Sequence, residues 1–239
     1  MYFVNIKAEM KKHHIKEWPE DERPREMLLE KGPEALSDAA LLAILLRTGR
    51  QGQNAIELAR EMIEKFGGLS GLLSARHEDL QKIKGIGRAK TAHILAAMEI
   101  VRRQFRQPLQ KTNVIENPDT LFEYLKTSMQ NLSREEFKIL HLNKSKHLIG
   151  EETLFLGTVD ESAIYAREVV ESAIRRKASA LIFVHNHPNG QALASAEDKA
   201  LTAELISACK AVRIPVLDHV IIGQDGFVSM RRKFPELFT

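Results

Sequence analysis

Two histidines, a serine and an aspartate lie close together in the run His185-Asn-His-Pro-Asn-Gly-Gln-Ala-Leu-Ala-Ser-Ala-Glu-Asp198. Imidazole nitrogens and a carboxylate oxygen are the donors a zinc ion takes, and the spacing lets them meet. In extended backbone residues i and i+2 point to one side, so His185 and His187 can converge on one ion, and Pro188 keeps His187 out of the α region. Ser195 and Asp198 open a helical pattern in which an i, i+3 pair shares a face, which brings the Asp198 carboxylate beside the two rings. Two histidines and an aspartate leave the fourth tetrahedral position to water, the arrangement of a catalytic rather than a closed structural zinc site. Ser-x-x-Asp is also an N-terminal capping pattern, with Ser195 as N-cap and Asp198 near N3, and the two roles are compatible.

These residues need a strand end and a helix start to hold them. Ala180-Leu-Ile-Phe-Val184 is apolar and partly β-branched, as a buried strand is, and Asn189-Gly190 then turns the chain. Around it the pattern predicts a helix over 118–129, strands near 136–143 and 148–156, and a helix over 161–177. A strand over 180–185, a helix over 195–212 and strands over 215–222 and 226–231 follow. Such mixing gives an α/β sheet layered with helices, its ligand site at strand ends. From Leu36 to Phe105 the pattern is helical throughout, over 38–46, 54–66, 69–73, 77–83 and 88–105, with glycines between the segments. A polar passage with Pro108 follows, and Asn117-Pro118 reads as N-cap and N1 of the next helix. The expected organisation is a charged tail over 1–19, an all-α domain over 20–108, a linker over 109–117 and a mixed-sheet domain over 118–239. The fold class is therefore α+β.

Composition excludes several classes. A chain of 239 residues with 44% hydrophobic residues has enough material for real cores. A net charge of +3 is only mildly basic, so nucleic-acid contact would come from a local patch. Cys209 is the only cysteine and falls in an apolar helical pattern, which predicts a buried thiol and no intrachain disulfide. The start of the chain lacks the apolar stretch of a signal peptide, and Ala39–Leu46, the longest apolar run, is too short to span a bilayer. A cytoplasmic protein is expected.

A second chemistry-bearing segment is Leu80-Gln-Lys-Ile-Lys-Gly-Ile-Gly-Arg-Ala-Lys90. Gly85 and Gly87 let backbone approach a phosphate, the following helix offers free N–H groups, and Lys82, Lys84, Arg88 and Lys90 add charge. It resembles the helix-hairpin-helix motif, which grips DNA backbones without reading sequence, and Leu45–Ala55 looks like a degenerate second copy. The same glycine turn also serves packing or protein docking.

Taken together, the histidine-to-aspartate run resembles the JAMM metalloprotease signature, His-x-His-Pro, six residues, then Ser-x-x-Asp, in its bacterial RadC-like form. Arg134-Glu-Glu-Phe137, Phe155-Leu-Gly-Thr158, Arg167-Glu-Val169 and Leu217-Asp-His-Val-Ile-Ile-Gly223 extend the resemblance over nearly the whole chain. Asn189 stands where that family commonly has serine, Ala166 and Ala194 where it has proline, and Asn143 where it has aspartate; none of these removes a ligand. The resemblance implies a JAB/MPN domain of cytidine-deaminase-like fold behind the helix-hairpin-helix domain. It implies a Zn2+ ion on His185, His187 and Asp198, and hydrolysis of an amide bond in a peptide or protein substrate. The family's general base is an upstream glutamate at a strand start, which Glu135 matches. Strand alternation sends Glu136 to the other face. Ser195 would stabilise the oxyanion. Asp218 and His219 also belong to the resembled pattern and read as buried and hydrogen-bonded rather than as ligands. Two other functions remain open: a DNA-repair or DNA-processing factor, as the name "DNA repair protein" of the RadC type suggests, and a non-catalytic metal-binding scaffold.

Overall fold

The structure, a computed structural model, describes residues 15–156, 164–188 and 190–239. The first fourteen residues of the expected tail, the segment 157–163 and Asn189 of the expected turn lie outside the described residues. The chain divides into two compact units, residues 1–98 and 99–239. No helix among the described residues is long and apolar enough to cross a membrane.

The first unit is helical. Helices α1 (Pro24–Lys31), α2 (Asp38–Leu46), α3 (Ala55–Lys65), α4 (Leu69–Leu73) and α5 (His77–Gln81) precede α6 (Arg88–Leu109), whose second half belongs to the second unit. Their apolar faces meet in one core that includes Leu42, Leu46, Leu58, Met62, Leu80 and Ile94. The N-termini are set by local side chains: Ser37 accepts from the Ala40 N–H, and Asn54 with Glu57 forms a capping box on α3. Helix α6 outlasts its expected end at Phe105, running through Pro108. Leu109 is fully buried among Leu121, Leu125 and Leu142, and that burial holds the last turn in place. Pro108, lacking an N–H, still contributes its carbonyl, which accepts from the Lys111 and Thr112 N–H groups.

The second unit is built on a five-stranded mixed sheet in the order β2-β1-β3-β4-β5, with β1 Glu136–Leu142, β2 Leu148–Leu156, β3 Ala180–Asn186, β4 Val216–Gly223 and β5 Gly226–Ser229. Only β3 and β4 are parallel. They are joined by α9 (Ala196–Ala211), as a parallel crossover requires. Helix α7 (Pro118–Met129) covers one face, packing Leu121, Phe122 and Leu125 on Leu140, Ile182, Val184 and Val220. Helices α8 (Ala166–Arg175) and α9 cover the other, packing Val169, Ala173, Leu205 and Cys209 on Phe137, Ile139, Leu181 and Phe183. The cysteine is the buried thiol that its apolar surroundings predicted. Helix α8 begins later than expected, after Tyr165 in extended backbone. Strand β5 ends early because Ser229 accepts from the Arg232 N–H and so starts the short α10 (Met230–Lys233).

Two details of the sheet decide what faces the α8–α9 side. Strand alternation along β3 sends Leu181, Phe183 and His185 there, while Ile182 and Val184 face α7. On β4 a bulge intervenes: Leu181 pairs with Val216 but Ile182 with Asp218. The extra residue, Leu217, restores the alternation one step late. Asp218 therefore goes with Ile182, and His219 with Phe183 and His185.

Candidate metal centre

His185 ends the ladder between β3 and β1, paired with Phe137, and His187 follows one step beyond β3. The rings share a face, and their Nε2 atoms are 2.9 Å apart. Asp198, one turn into α9, places Oδ1 3.1 Å from His185 Nε2 and Oδ2 3.7 Å from His187 Nε2. Glu135, immediately before β1, has the strand parity of Phe137 and brings a carboxylate oxygen to the same place. Donor atoms of Glu135, His185 and His187 all lie within 4.8 Å of one another. Glu136 has the opposite parity, and its carboxylate lies 3.9 Å from the Lys138 ammonium.

The ring tautomers follow from what stands behind them. His187 Nδ1 is 3.1 Å from the Gln191 carbonyl oxygen, which can only accept, so Nδ1 carries a proton and the neutral ring presents a lone pair at Nε2. Behind His185 runs a longer chain. The Thr202 hydroxyl donates to the Asp198 carbonyl at 2.5 Å, so toward His219 Nδ1, 2.6 Å away, it can only accept. His219 then protonates at Nδ1 and turns a bare Nε2 toward His185 Nδ1, 2.8 Å off, which must be the donor. A neutral His185 ring then also presents a lone pair at Nε2. Complete burial, together with the neighbouring His185, keeps His219 neutral by depressing its pKa well below the usual histidine value.

Two imidazole nitrogens and a carboxylate converge on one point, and in the neutral forms of the rings their lone pairs would repel there unless a cation lay between them. Donors bonded to one tetrahedral metal at about 2.0–2.1 Å stand about 3.3–3.4 Å apart, and the observed 2.9, 3.1 and 3.7 Å bracket that spacing. The residues fit a metal ion, which His185, His187 and Asp198 would hold with Glu135 beside it. Burial opposes ionisation of Asp198, but the facing His185, when its Nε2 carries a proton, and the hydrogen bonds from the Ser195 N–H and hydroxyl outweigh it and hold the carboxyl well below the usual range. Burial pushes Glu135 the other way, upward, with His185 and His187 only partly offsetting it.

Ser195 is the N-cap of α9. Its hydroxyl accepts from the Asp198 N–H at 3.0 Å and lies 2.8 Å from Asp198 Oδ2, to which its own N–H also donates at 2.8 Å. Capping and ligand orientation thus coincide in one pair. The loop carrying His187 is clamped from outside: the Gln224 N–H donates to the Gly190 carbonyl, and Asp225 accepts from the Ala192 N–H. Gly223 packs so closely on this loop that a Cβ there would fall 2.3 Å from Ala192 N. Asp218 lies on the opposite face of the sheet, its carboxylate taken up by Ser229, Arg231 and its neighbour's N–H, away from the cluster. The sequence reading missed Thr202, Asn186, Gln191 and Gly223. Thr202 had a signal, its i+4 spacing from Asp198.

In the first unit, Gly85 has φ +93°, a conformation that favours glycine, and faces the Arg50 side chain. Lys82 pairs with Asp79 at 2.7 Å, and Lys84, Gly87 and Arg88 are exposed. Lys90 turns inward and donates to the carbonyls of Gly49 and Gly85, at 2.8 and 2.9 Å, which ties the two hairpins together. Arg50 reinforces the tie by donating to the Lys84 carbonyl.

A helical unit preceding a mixed sheet with a metal-competent cluster at its strand ends defines a JAB-domain protein of α+β class. Residues 115–234 match the RadC-like JAB domain and residues 15–92 the UPF0758 N-terminal family. The relatives include a UPF0758 protein of Alcanivorax borkumensis, 45% identical over 216 residues, covering 90% of this chain and 96% of that one. Another, from Halorhodospira halophila, is 44% identical over 219 residues, 92% and 98% of the two chains. A third, from a Polaromonas species, is 43% identical over 216 residues, 90% and 96%. This chain belongs to the RadC-like JAB-domain family, UPF0758.

Proposed function

We propose that the chain is a zinc-dependent amide hydrolase, a peptidase or isopeptidase acting on a peptide or protein. The observation that carries the proposal is the Glu135 carboxyl, raised in pKa by burial and set beside two imidazole rings and an ionised aspartate. Bound zinc supplies Lewis acidity toward water and a carbonyl oxygen. Glu135 accepts the proton of the attacking water and returns it to the leaving amine, and its raised pKa makes it a better acceptor near neutral pH. His185, His187 and Asp198 hold the ion. Ser195 orients Asp198 and, by turning its exposed hydroxyl, donates to the developing oxyanion. A two-metal nuclease needs more carboxylates than this cluster has.

Exchanging Glu135 for glutamine tests it, since the shape stays and the proton acceptor goes. Zinc content should persist while hydrolysis of pooled fluorogenic peptides falls by about 10²–10⁴-fold, and Glu136→Gln should change little. If Glu135→Gln leaves turnover intact, the mechanism is wrong. Alanine at His185, His187 or Asp198 should lower zinc content.

The helical unit favours a second, additional reading. Lys84 and Arg88 stand exposed beside Gly85 and Gly87. That supports contact with DNA backbone without sequence preference, of modest affinity and strong salt dependence.

A further inference from the structure

Between the two metal-site histidines stands Asn186, 1% exposed. Strand alternation turns its side chain away from the rings, and it reaches the chain on either side of Glu135. Asn186 Oδ1 accepts the Glu136 N–H at 2.8 Å, and Nδ2 donates to the Arg134 carbonyl at 3.0 Å. The backbone ladder between β1 and β3 stops at the pair Phe137 and His185. One step further, a side-chain amide stands where the partner strand's peptide group would otherwise be. In an antiparallel pair the N–H of one residue and the C=O two residues earlier point to the same side, so the two groups Asn186 holds straddle Glu135.

From this we infer that Asn186 is a positioning residue for Glu135, fixing the carboxylate against the ligand pair from the same three-residue segment that supplies both histidines. Only a carboxamide does this among neutral side chains of its length, because it carries an acceptor and a donor on one planar carbon. Leucine would leave both backbone groups without this partner, and aspartate would set an oxygen against the Arg134 carbonyl. The ligands and the base come from different strands, and Asn186 makes their separation a fixed distance rather than one that varies with fraying of the β1 start. The inference rests on reading Glu135 as the base, but the clamp can be measured without turnover.

The test loads the full chain with Co2+ and labels glutamate carboxyl carbons with 13C, with Glu135→Gln assigning the Glu135 resonance. In the wild type that carbon should relax rapidly beside the paramagnetic ion. In Asn186→Ala its relaxation should slow several-fold. Cobalt affinity should change by less than the roughly tenfold loss expected of a residue that orients a ligand. Peptide turnover should fall by about 10²-fold through kcat, the scale of a 1 Å misplacement of a reacting group. Adding Asn186→Ala to Glu135→Gln should cost nothing further. Unchanged Glu135 relaxation in Asn186→Ala overturns the clamp, as does a loss found entirely in cobalt affinity. If that variant does not fold, amide exchange in the wild type decides: the Glu136 N–H should exchange slowly, and exchange as fast as the exposed Lys144 and Ser145 amides overturns the inference. A wild type that cleaves no peptide yet shows the expected relaxation removes the hydrolase reading alone.

Discussion

Alanine at Gly223 should weaken the metal site from outside it. The added Cβ would lie 2.3 Å from Ala192 N and 2.6 Å from Gln191 C, whereas ordinary contact begins at 3.4 Å. Both obstacles are backbone and cannot rotate aside, so the 190–192 segment must retreat by about 1 Å while the His187 N–H stays bonded to the Ile222 carbonyl. The Gln191 carbonyl, now 3.1 Å from His187 Nδ1, would then stand at about 4 Å, beyond hydrogen-bonding range. His187 loses the contact that fixes its tautomer and ring angle. Outer-shell losses of this kind cost about 10–100-fold in metal affinity, or about 1.4–2.7 kcal/mol. Competition for Zn2+ against a chromophoric chelator measures the change directly. Gly87→Ala is the control, since a Cβ there meets nothing within 4 Å. A Gly223→Ala protein that binds zinc within about twofold of the wild type would refute the link between loop position and the His187 tautomer.

Two further outcomes are expected. His141, fully buried on β1, has its pKa pushed down to about 4 by burial and by Arg176, so folding favours its neutral form. The folded value lies below the unfolded one. This contribution is therefore complete above about pH 6.5 and is lost as pH falls toward 4, on the order of 2–3 kcal/mol. Urea unfolding from pH 7 to 4.5 should show a steeper decline for the wild type than for His141→Asn, and parallel declines would contradict the assignment. In the helical unit, Lys90→Met should lower thermal stability by about 1 kcal/mol, because two carbonyl contacts go. Lys84→Met should leave stability alone and reduce the salt slope of DNA binding by about 1. Equal stability losses in the two variants would reject the distinction.

The parts of this protein that one segment can specify were legible in its residues. The apolar run into His185, the capping box at Ser195 and the glycine turn at Gly85 each carry their geometry locally, and the structure places Glu135 with His185 and His187 while Glu136 faces Lys138. What escaped depends on pairing between distant segments. Asn186 gains its meaning only once β1 lies beside β3, and Thr202 only once His219 stands over it. Leu109 holds α6 past Pro108 because a core from the rest of its unit is there to receive it. A window of sequence containing Pro108 has no knowledge of that core.

The bulge at Leu217 is a splice in the alternation of β4. Leu217 and Asp218 together stand opposite Ile182, so removing Leu217 would leave Val216 beside Leu181 and His219 beside Phe183, each on its present face. What would go is the local bend and added twist that an extra residue gives the strand, together with the Leu217 side chain on the α7 core. Removing Val220 from the regular part of the strand would instead turn His219 to the α7 face if the ladder beyond it stayed in register. The bulge is therefore the place where β4 can lose a residue and keep His219 beside Phe183.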